Sequence, residues 1–341
     1  PTLPLVDEQL MKGYRNVVLI LIDALGTDSI SHHLSKESHL ASHLKTTLTS
    51  VFPSTTVAAT TSVISGKTPR ESGWLGWHQY VSEVDDSIVL FQNKSYYHPE
   101  KTYDFNIASH VIPYTSIYNQ IEKANKHIQT HEVFPAFRTP ENNTFEKLCN
   151  AVSQIIDTNG HHFVYAYWDK VDSYMHEFGP YSNEVHEHIL EVDSAFGKFI
   201  ESLDDDTLVM VIADHGQIDV EGIPLYEYQD VMDTLIRNPS NESRASVFYV
   251  KDDKKTTFET LFNQYFRDHF VLYKSEDAAK MGLFGSGKSH PRFKEFLGDY
   301  IAIATDHYFL STQKTGFVMK GQHAGLLMEE MLVPLIIYSK K

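Results

Sequence analysis

The sequence predicts an α/β protein built on a doubly wound, mostly parallel sheet with helices on both faces, and three patterns carry that expectation. The first is a set of short apolar runs that each end in an acidic residue. They are Asn16-Val-Val-Leu-Ile-Leu-Ile-Asp23, Phe163-Val-Tyr-Ala-Tyr-Trp-Asp169 and Thr207-Leu-Val-Met-Val-Ile-Ala-Asp214. Runs this short, β-branched and apolar at every position suit strands covered on both faces. The second is Val185, Ile189, Val192, Phe196 and Phe199, whose spacings of four, three, four and three define one face of a helix. The third is the alternation of the two patterns, which implies crossover units and places a site at the carboxyl ends of the strands. The terminal aspartates therefore mark where a site should lie.

The remaining elements follow in chain order. Phe52-Pro-Ser-Thr-Thr56 is extended, and the chain turns helical after the threonines as far as Ser65-Gly66. Residues 85–140 are polar, aromatic and irregular, long enough to fold partly over a site. Between residues 244 and 282 the texture changes. Ala245 to Val250 reads as a strand, Thr257 to Phe266 as a helix and Phe270 to Tyr273 as a strand. Ser275 to Met281 reads as a short helix closed by Gly282. Residues 244–299 are thus expected as a small α+β insert in a core formed by 1–243 and 300–341. Leu332 to Ile337 is a further apolar run.

The bulk composition narrows the function. Apolar residues make 42 % of the 341 positions, as in a globular chain. Lysine and arginine total 29 against 45 acidic residues, a net charge of −16 that disfavours binding to nucleic-acid polymers. No apolar run is long enough for a membrane span. Cys149 stands alone, which excludes an internal disulfide and a thiolate metal cluster. No signal peptide is visible, and a cytoplasmic location is the expectation. The 19 histidines are many, and histidine is a common metal ligand.

Carboxylates and imidazoles cluster at the predicted strand ends. An aspartate such as Asp23 also serves there as a helix or turn cap. The others make a metal site the sharper reading. Asp172 and His176, four apart, share one helix face. Asp214-His215-Gly216 sets carboxylate and imidazole side by side beyond a strand, and Gly321-Gln-His323-Ala-Gly325 places another imidazole in a turn. Imidazole and carboxylate without thiolate suit zinc, with manganese or iron next. A hydroxyl at a helix N-terminus, Thr55 or Thr56, is either a cap or a nucleophile beside a cation.

The order Asp23, Phe52-Pro-Ser-Thr-Thr56 to Ser65-Gly66, Asp172-x-x-x-His176-x-x-Gly179, Asp214-His215-Gly216 and Gly321-x-His323 resembles the alkaline phosphatase superfamily. Within it, the chain is similar to the type I phosphodiesterase/nucleotide pyrophosphatase branch. The resemblance implies an alkaline phosphatase-like fold and a two-zinc phosphoester hydrolase for a small substrate. It implies that Asp23, Thr56, Asp214 and His215 surround one zinc, that Asp172, His176 and His323 hold the other, and that Thr56 is the nucleophile. Counting back from Gly66 puts Thr56, not Thr55, at the family position.

The chain also departs from the nucleotide enzymes. Val57 follows the nucleophile where they commonly carry phenylalanine. Trp77, eleven residues beyond Gly66, replaces an asparagine that contacts phosphate. Trp74, Trp77 and His78 are candidate walls of a substrate pocket, or packing residues of a turn. A phosphomonoesterase, a phosphonate hydrolase or a non-catalytic metal-stabilised binding protein are the alternatives. A sulfatase would need Cys or Ser in a Cys-x-Pro-x-Arg setting, whereas Cys149 lies in Leu-Cys-Asn-Ala. Gly282-Leu-Phe-Gly-Ser-Gly287-Lys288-Ser289 matches a phosphate-binding loop in letters only, since a helix precedes it and Pro291 follows. Asn93, Asn142 and Asn241 begin glycosylation sequons that matter only in a secreted protein.

Overall fold

The computed structural model describes residues 2–314 and 319–341. The chain forms two compact units. One comprises Pro1–Thr49, Ile117–Gly216 and Leu332–Lys341, the other Ser50–Ser116 and Gln217–Met331.

The first unit is built on a six-stranded sheet in the order Leu44–Thr49, Leu332–Tyr338, Thr207–Ile212, Asn16–Ile22, His161–Trp168, Ile128–Val133. The last four strands run parallel, and Leu332–Tyr338 is antiparallel to both of its neighbours. The apolar runs are strands because both faces are covered. Val18, Ile20, Ile22, Val164, Ala166 and Val211 pack with the helices Phe145–Ile156 and Asn183–Ser202. Val17, Leu19, Leu208 and Met210 pack on the opposite face with Leu5 and Val6 of the helix Pro4–Leu10. Val185, Ile189, Val192, Phe196 and Phe199 are all buried, as the spacing predicts. Each contributes about 1.5–3 kcal/mol by leaving water. Ser182 caps that helix by accepting a hydrogen bond from Val185 N.

Strand register decides where the site lies. Ile22 is level with Trp168, and Leu21 with Ile212. Asp23, Asp169 and Asp214 therefore all leave the sheet at its carboxyl edge.

The second unit is built on a seven-stranded antiparallel sheet. Its order is Phe270–Lys274, Tyr300–Ala304, Ala245–Phe248, Ser240–Asn241, His78–Val81, Asp86–Val89, Lys94–Ser95. The expected elements between 244 and 282 are present at nearly the expected bounds. Their strands lie in this larger sheet, beside Tyr300–Ala304 and the strands of residues 78–95. Phe258, Phe262 and Phe266 on the helix Lys255–Phe266 recur every fourth residue and pack on Phe248 and Phe270. The glycine-rich stretch 282–289 follows the helix Ser275–Lys280 and leads into no helix before Phe293–Leu297. Gly285 and Gly287 serve close packing, for a Cβ would stand 2.7 Å from Thr68 Cβ at the first and 2.3 Å from the Glu71 carboxyl at the second. Thr68 Oγ1 donates to Ser286 O at 2.8 Å in the same contact.

Candidate metal and nucleophile sites

Asp23, Asp214 and His215 meet at the carboxyl edge of the parallel sheet, and all three are buried. His215 Nε2 is 3.4 Å from Asp23 Oδ1 and 3.6 Å from Asp214 Oδ2. One donor atom from each residue lies within 4.8 Å of the other two. Asp214 Oδ1 accepts from Ala24 N and His215 N at 3.1 and 3.0 Å. His215 Nδ1 is 3.0 Å from Gly216 O. That contact assigns the proton to Nδ1 and leaves the lone pair on Nε2, the nitrogen facing the carboxylates. Ala24 holds a left-handed φ of 61°, a costly conformation for alanine that turns the chain directly after Asp23.

The electrostatics of this group ask for a cation. Burial pushes the Asp23 carboxyl well above its ordinary range, and the charges of Asp214 and Asp172 add to the shift. The Tyr167 hydroxyl, which donates to Asp23 Oδ2, opposes it. Burial also raises Asp214, against the attraction of His215. Two carboxylates buried together with an imidazole lone pair fit a divalent cation, which would offset both their repulsion and their desolvation.

Asp172 and His176 lie on the helix Lys170–Phe178, one turn apart and partly buried. Their Oδ1 and Nε2 are 3.3 Å apart, so the predicted shared face is present. Asp169, the acid that ends the second apolar run, sits at the N-cap of this helix, where Ser173 Oγ bonds its carbonyl.

In the second unit Thr56 is the first residue of the helix Thr56–Ser65. Thr55 is extended at the N-cap (φ −137°, ψ 149°) yet makes no side-chain cap, because its hydroxyl donates to Glu242 Oε1 at 2.6 Å. His323 stands beside this turn, with Nδ1 3.1 Å from Ser54 O, and Ser54 Oγ donates to Gly325 O at 2.9 Å. The carbonyl assigns the His323 proton to Nδ1 and leaves the lone pair on Nε2, a nitrogen that could serve a metal.

A family model described as "Type I phosphodiesterase / nucleotide pyrophosphatase" matches residues 17–325. The chain belongs to that family. Solved structures share its fold. Murine ectonucleotide pyrophosphatase/phosphodiesterase 5 is similar with a TM-score of 0.74 at 16% identity, covering 95% of this chain and 88% of that one. The human protein of the same name gives 0.73 at 17% identity over 95% and 88%. Phosphonoacetate hydrolase from Sinorhizobium meliloti, in complex with phosphonoformate, gives 0.66 at 14% identity over 95% and 90%. A search of curated proteins finds no match. Family membership gives the chain the class of phosphoester hydrolase. Among the described residues no helix is long and apolar enough to cross a membrane.

The three candidate pocket walls have well-defined surroundings. Trp74 is buried, donates from Nε1 to Ile112 O at 2.9 Å and packs with Leu75, Ala108 and Ile112. Trp77, in the family's asparagine position, is half-buried and gives its backbone N–H to Glu242 Oε1 at 2.6 Å. His78 is buried and stacked on Tyr96, with ring centroids 3.6 Å apart.

Three residues around these motifs escape sequence reasoning. Arg244 and Glu330 are fully buried and paired through two bonds, Nε to Oε1 at 2.7 Å and Nη2 to Oε2 at 2.9 Å. Glu330 also accepts from Gly325 N at 2.8 Å, and Arg244 Nη1 donates to the carbonyls of Asp306 and Tyr308. The pair thus holds the turn that carries His323, in which Ala324 has a φ of 89°. At Gly325 a Cβ would stand 2.5 Å from Glu330 Oε2, so only glycine fits. Glu242 is the third. Its only sequence signal is its place two residues before Arg244, a pattern that reads as ordinary surface charge.

Proposed function

We propose that the chain is a two-zinc phosphodiesterase that works through a phosphothreonine formed on Thr56. The observation that carries this reading is the buried grouping of Asp23, Asp214 and His215, at the strand ends where the family motifs place metal ligands. By the family order, Asp23, Thr56, Asp214 and His215 would hold one ion, and Asp172, His176 and His323 the other. The ions would supply Lewis acidity, lowering the pKa of the Thr56 hydroxyl and stabilising charge on the phosphoryl oxygens and leaving group. The threonine alkoxide attacks phosphorus, the ester oxygen leaves, and water then hydrolyses the phosphothreonine. His215 and His323, each fixed through Nδ1 by a backbone carbonyl, keep their rings in one orientation through both steps. In support, the murine relative has an inactive threonine-to-alanine form that binds AMP.

Charge favours diesters. Two divalent ions would be balanced by three aspartates and the ionised Thr56, which leaves no spare positive charge for a dianion. The buried Arg244 is committed to Glu330 and two carbonyls, so it does not grip phosphate. Elemental analysis should find two transition-metal ions per chain, mainly zinc. Values of kcat/KM should be higher for bis-nitrophenyl than for mono-nitrophenyl phosphate. A clear monoester or phosphonate preference would replace the diester reading. Bound metal without turnover of any ester would make this a binding protein.

A further inference from the structure

We propose that Glu242 is a charge filter at the substrate site, a carboxylate that admits monoanionic phosphodiesters and turns away dianionic phosphoryl groups. This rests on the phosphodiesterase reading above for the place of Thr56, and on the structure for the rest.

Glu242 occupies a tight, tied turn. The two-residue strand Ser240–Asn241 pairs with Ala245–Phe248 on one side and with His78 on the other. Asn241 has a φ of 83°, its Nδ2 donates to Ala245 O at 2.8 Å, and Ser246 Oγ donates to Glu242 O at 2.7 Å. Gly76 lets the neighbouring loop lie on this turn, since a Cβ there would stand 2.2 Å from Asn241 Oδ1. The outcome is that one oxygen, Glu242 Oε1, accepts both Thr55 Oγ1 and Trp77 N, each at 2.6 Å. Two donors converging on one carboxylate oxygen favour its ionised form.

Both donors lie in segments that the proposed mechanism uses. Thr55 precedes the nucleophile, and its bond to Glu242 replaces the cap it would otherwise make. Trp77 occupies the position where the family's nucleotide enzymes carry a phosphate-contacting asparagine. The carboxylate's charge is also felt at Tyr96, the ring stacked on His78. Burial raises the Tyr96 hydroxyl, bonds to Thr312 and Gln313 oppose that, and the Glu242 charge adds to the rise. A merely structural acceptor at this place could be neutral. A negative charge bonded to Thr55, the residue before the proposed nucleophile, would repel a dianion more strongly than a singly charged diester.

The test uses the zinc-loaded full chain and three variants. Glu242→Gln keeps an acceptor oxygen for both bonds and removes the charge. Glu242→Asp keeps the charge at shorter reach, and Glu242→Ala removes bonds and charge together. Calorimetry reads binding of inorganic phosphate and of dimethyl phosphate, and kinetics reads the diester-to-monoester ratio of kcat/KM. In Glu242→Gln, inorganic phosphate should bind about tenfold tighter, dimethyl phosphate should change by less than about threefold, and the ratio should fall by about tenfold. Glu242→Asp should keep the ratio, and Glu242→Ala should lower kcat for both esters. Unchanged phosphate binding in Glu242→Gln, or an equal loss of the ratio in the Gln and Asp variants, would overturn the filter. A wild-type chain that cleaves neither ester, yet gains phosphate affinity in Glu242→Gln, would retire the catalytic reading and leave the filter standing.

Discussion

Thr55 and Thr56 are adjacent hydroxyls in different settings. Thr55 is buried, and its Oγ1 is committed to Glu242, whereas Thr56 opens the helix and is half-buried. Thr56→Ala should lower kcat/KM by about 10³-fold or more while metal content stays unchanged, and Thr55→Ala should cost far less. Kinetics with elemental analysis checks both, and reversed effects would shift the nucleophile by one residue. His78 offers a pH test. Burial pushes its imidazole down to about 3. Between an ordinary pKa of 6.5 and about 3, the unfolded chain takes up a proton that the folded chain refuses, so this residue's contribution to stability is present above pH 6.5 and is lost as pH falls through that window. Urea unfolding of wild type and His78→Gln should show a shallower pH slope in the variant. At this scale the metal-ligand candidates were legible, because Asp, His and Gly at motif spacing have few other uses together. Glu242, Arg244 and Glu330 were not, because only a folded chain shows which charges are buried and whom they face.

Elements are held by such hidden charges as much as by periodicity. The turn carrying His323 depends on Glu330, which takes two bonds from Arg244 and one from Gly325 N. Glu330→Gln would leave the Arg244 charge buried without its counter-ion and should destabilise the protein by about 3–5 kcal/mol. On the two-zinc proposal, it should also weaken metal binding by His323. Urea denaturation and chelator competition measure the two effects, and zinc affinity unchanged in a folded variant would free His323 from this clamp. The apolar strands and the helix Asn183–Ser202 were legible because their burial pattern repeats along the chain. Residues 85–140 were not, because their order comes from convergent contacts. Asp86 accepts from Lys101 Nζ, Tyr103 Oη and Ser95 Oγ at 3.0, 2.7 and 3.0 Å, tying three strands' worth of chain to one carboxylate. The strands between 244 and 282 were legible one by one. Their antiparallel partners, Tyr300–Ala304 and the short strands near His78 and Asn241, were not, since register across distant segments leaves no local signal.

At the scale of the whole molecule, bound metal and fold stability should be linked. Ions held by the native carboxylates and imidazoles at about 100 times Kd would add about 2.7 kcal/mol, so chelation should lower the melting temperature and added zinc should restore it. Calorimetry with and without chelator checks this, and an unchanged midpoint would mean that Asp23 and Asp214 are stable as a pair without a cation. The six-stranded sheet has a consequence for biosynthesis. Leu332–Tyr338 lies between Leu44–Thr49 and Thr207–Ile212, two strands synthesised long before it. Until Tyr338 leaves the ribosome, Thr207–Ile212 presents one unpaired apolar edge, and Leu44–Thr49 has no place in the sheet. The edge of Thr207–Ile212 must therefore stay sheltered while the residues between it and Leu332–Tyr338 are synthesised and folded.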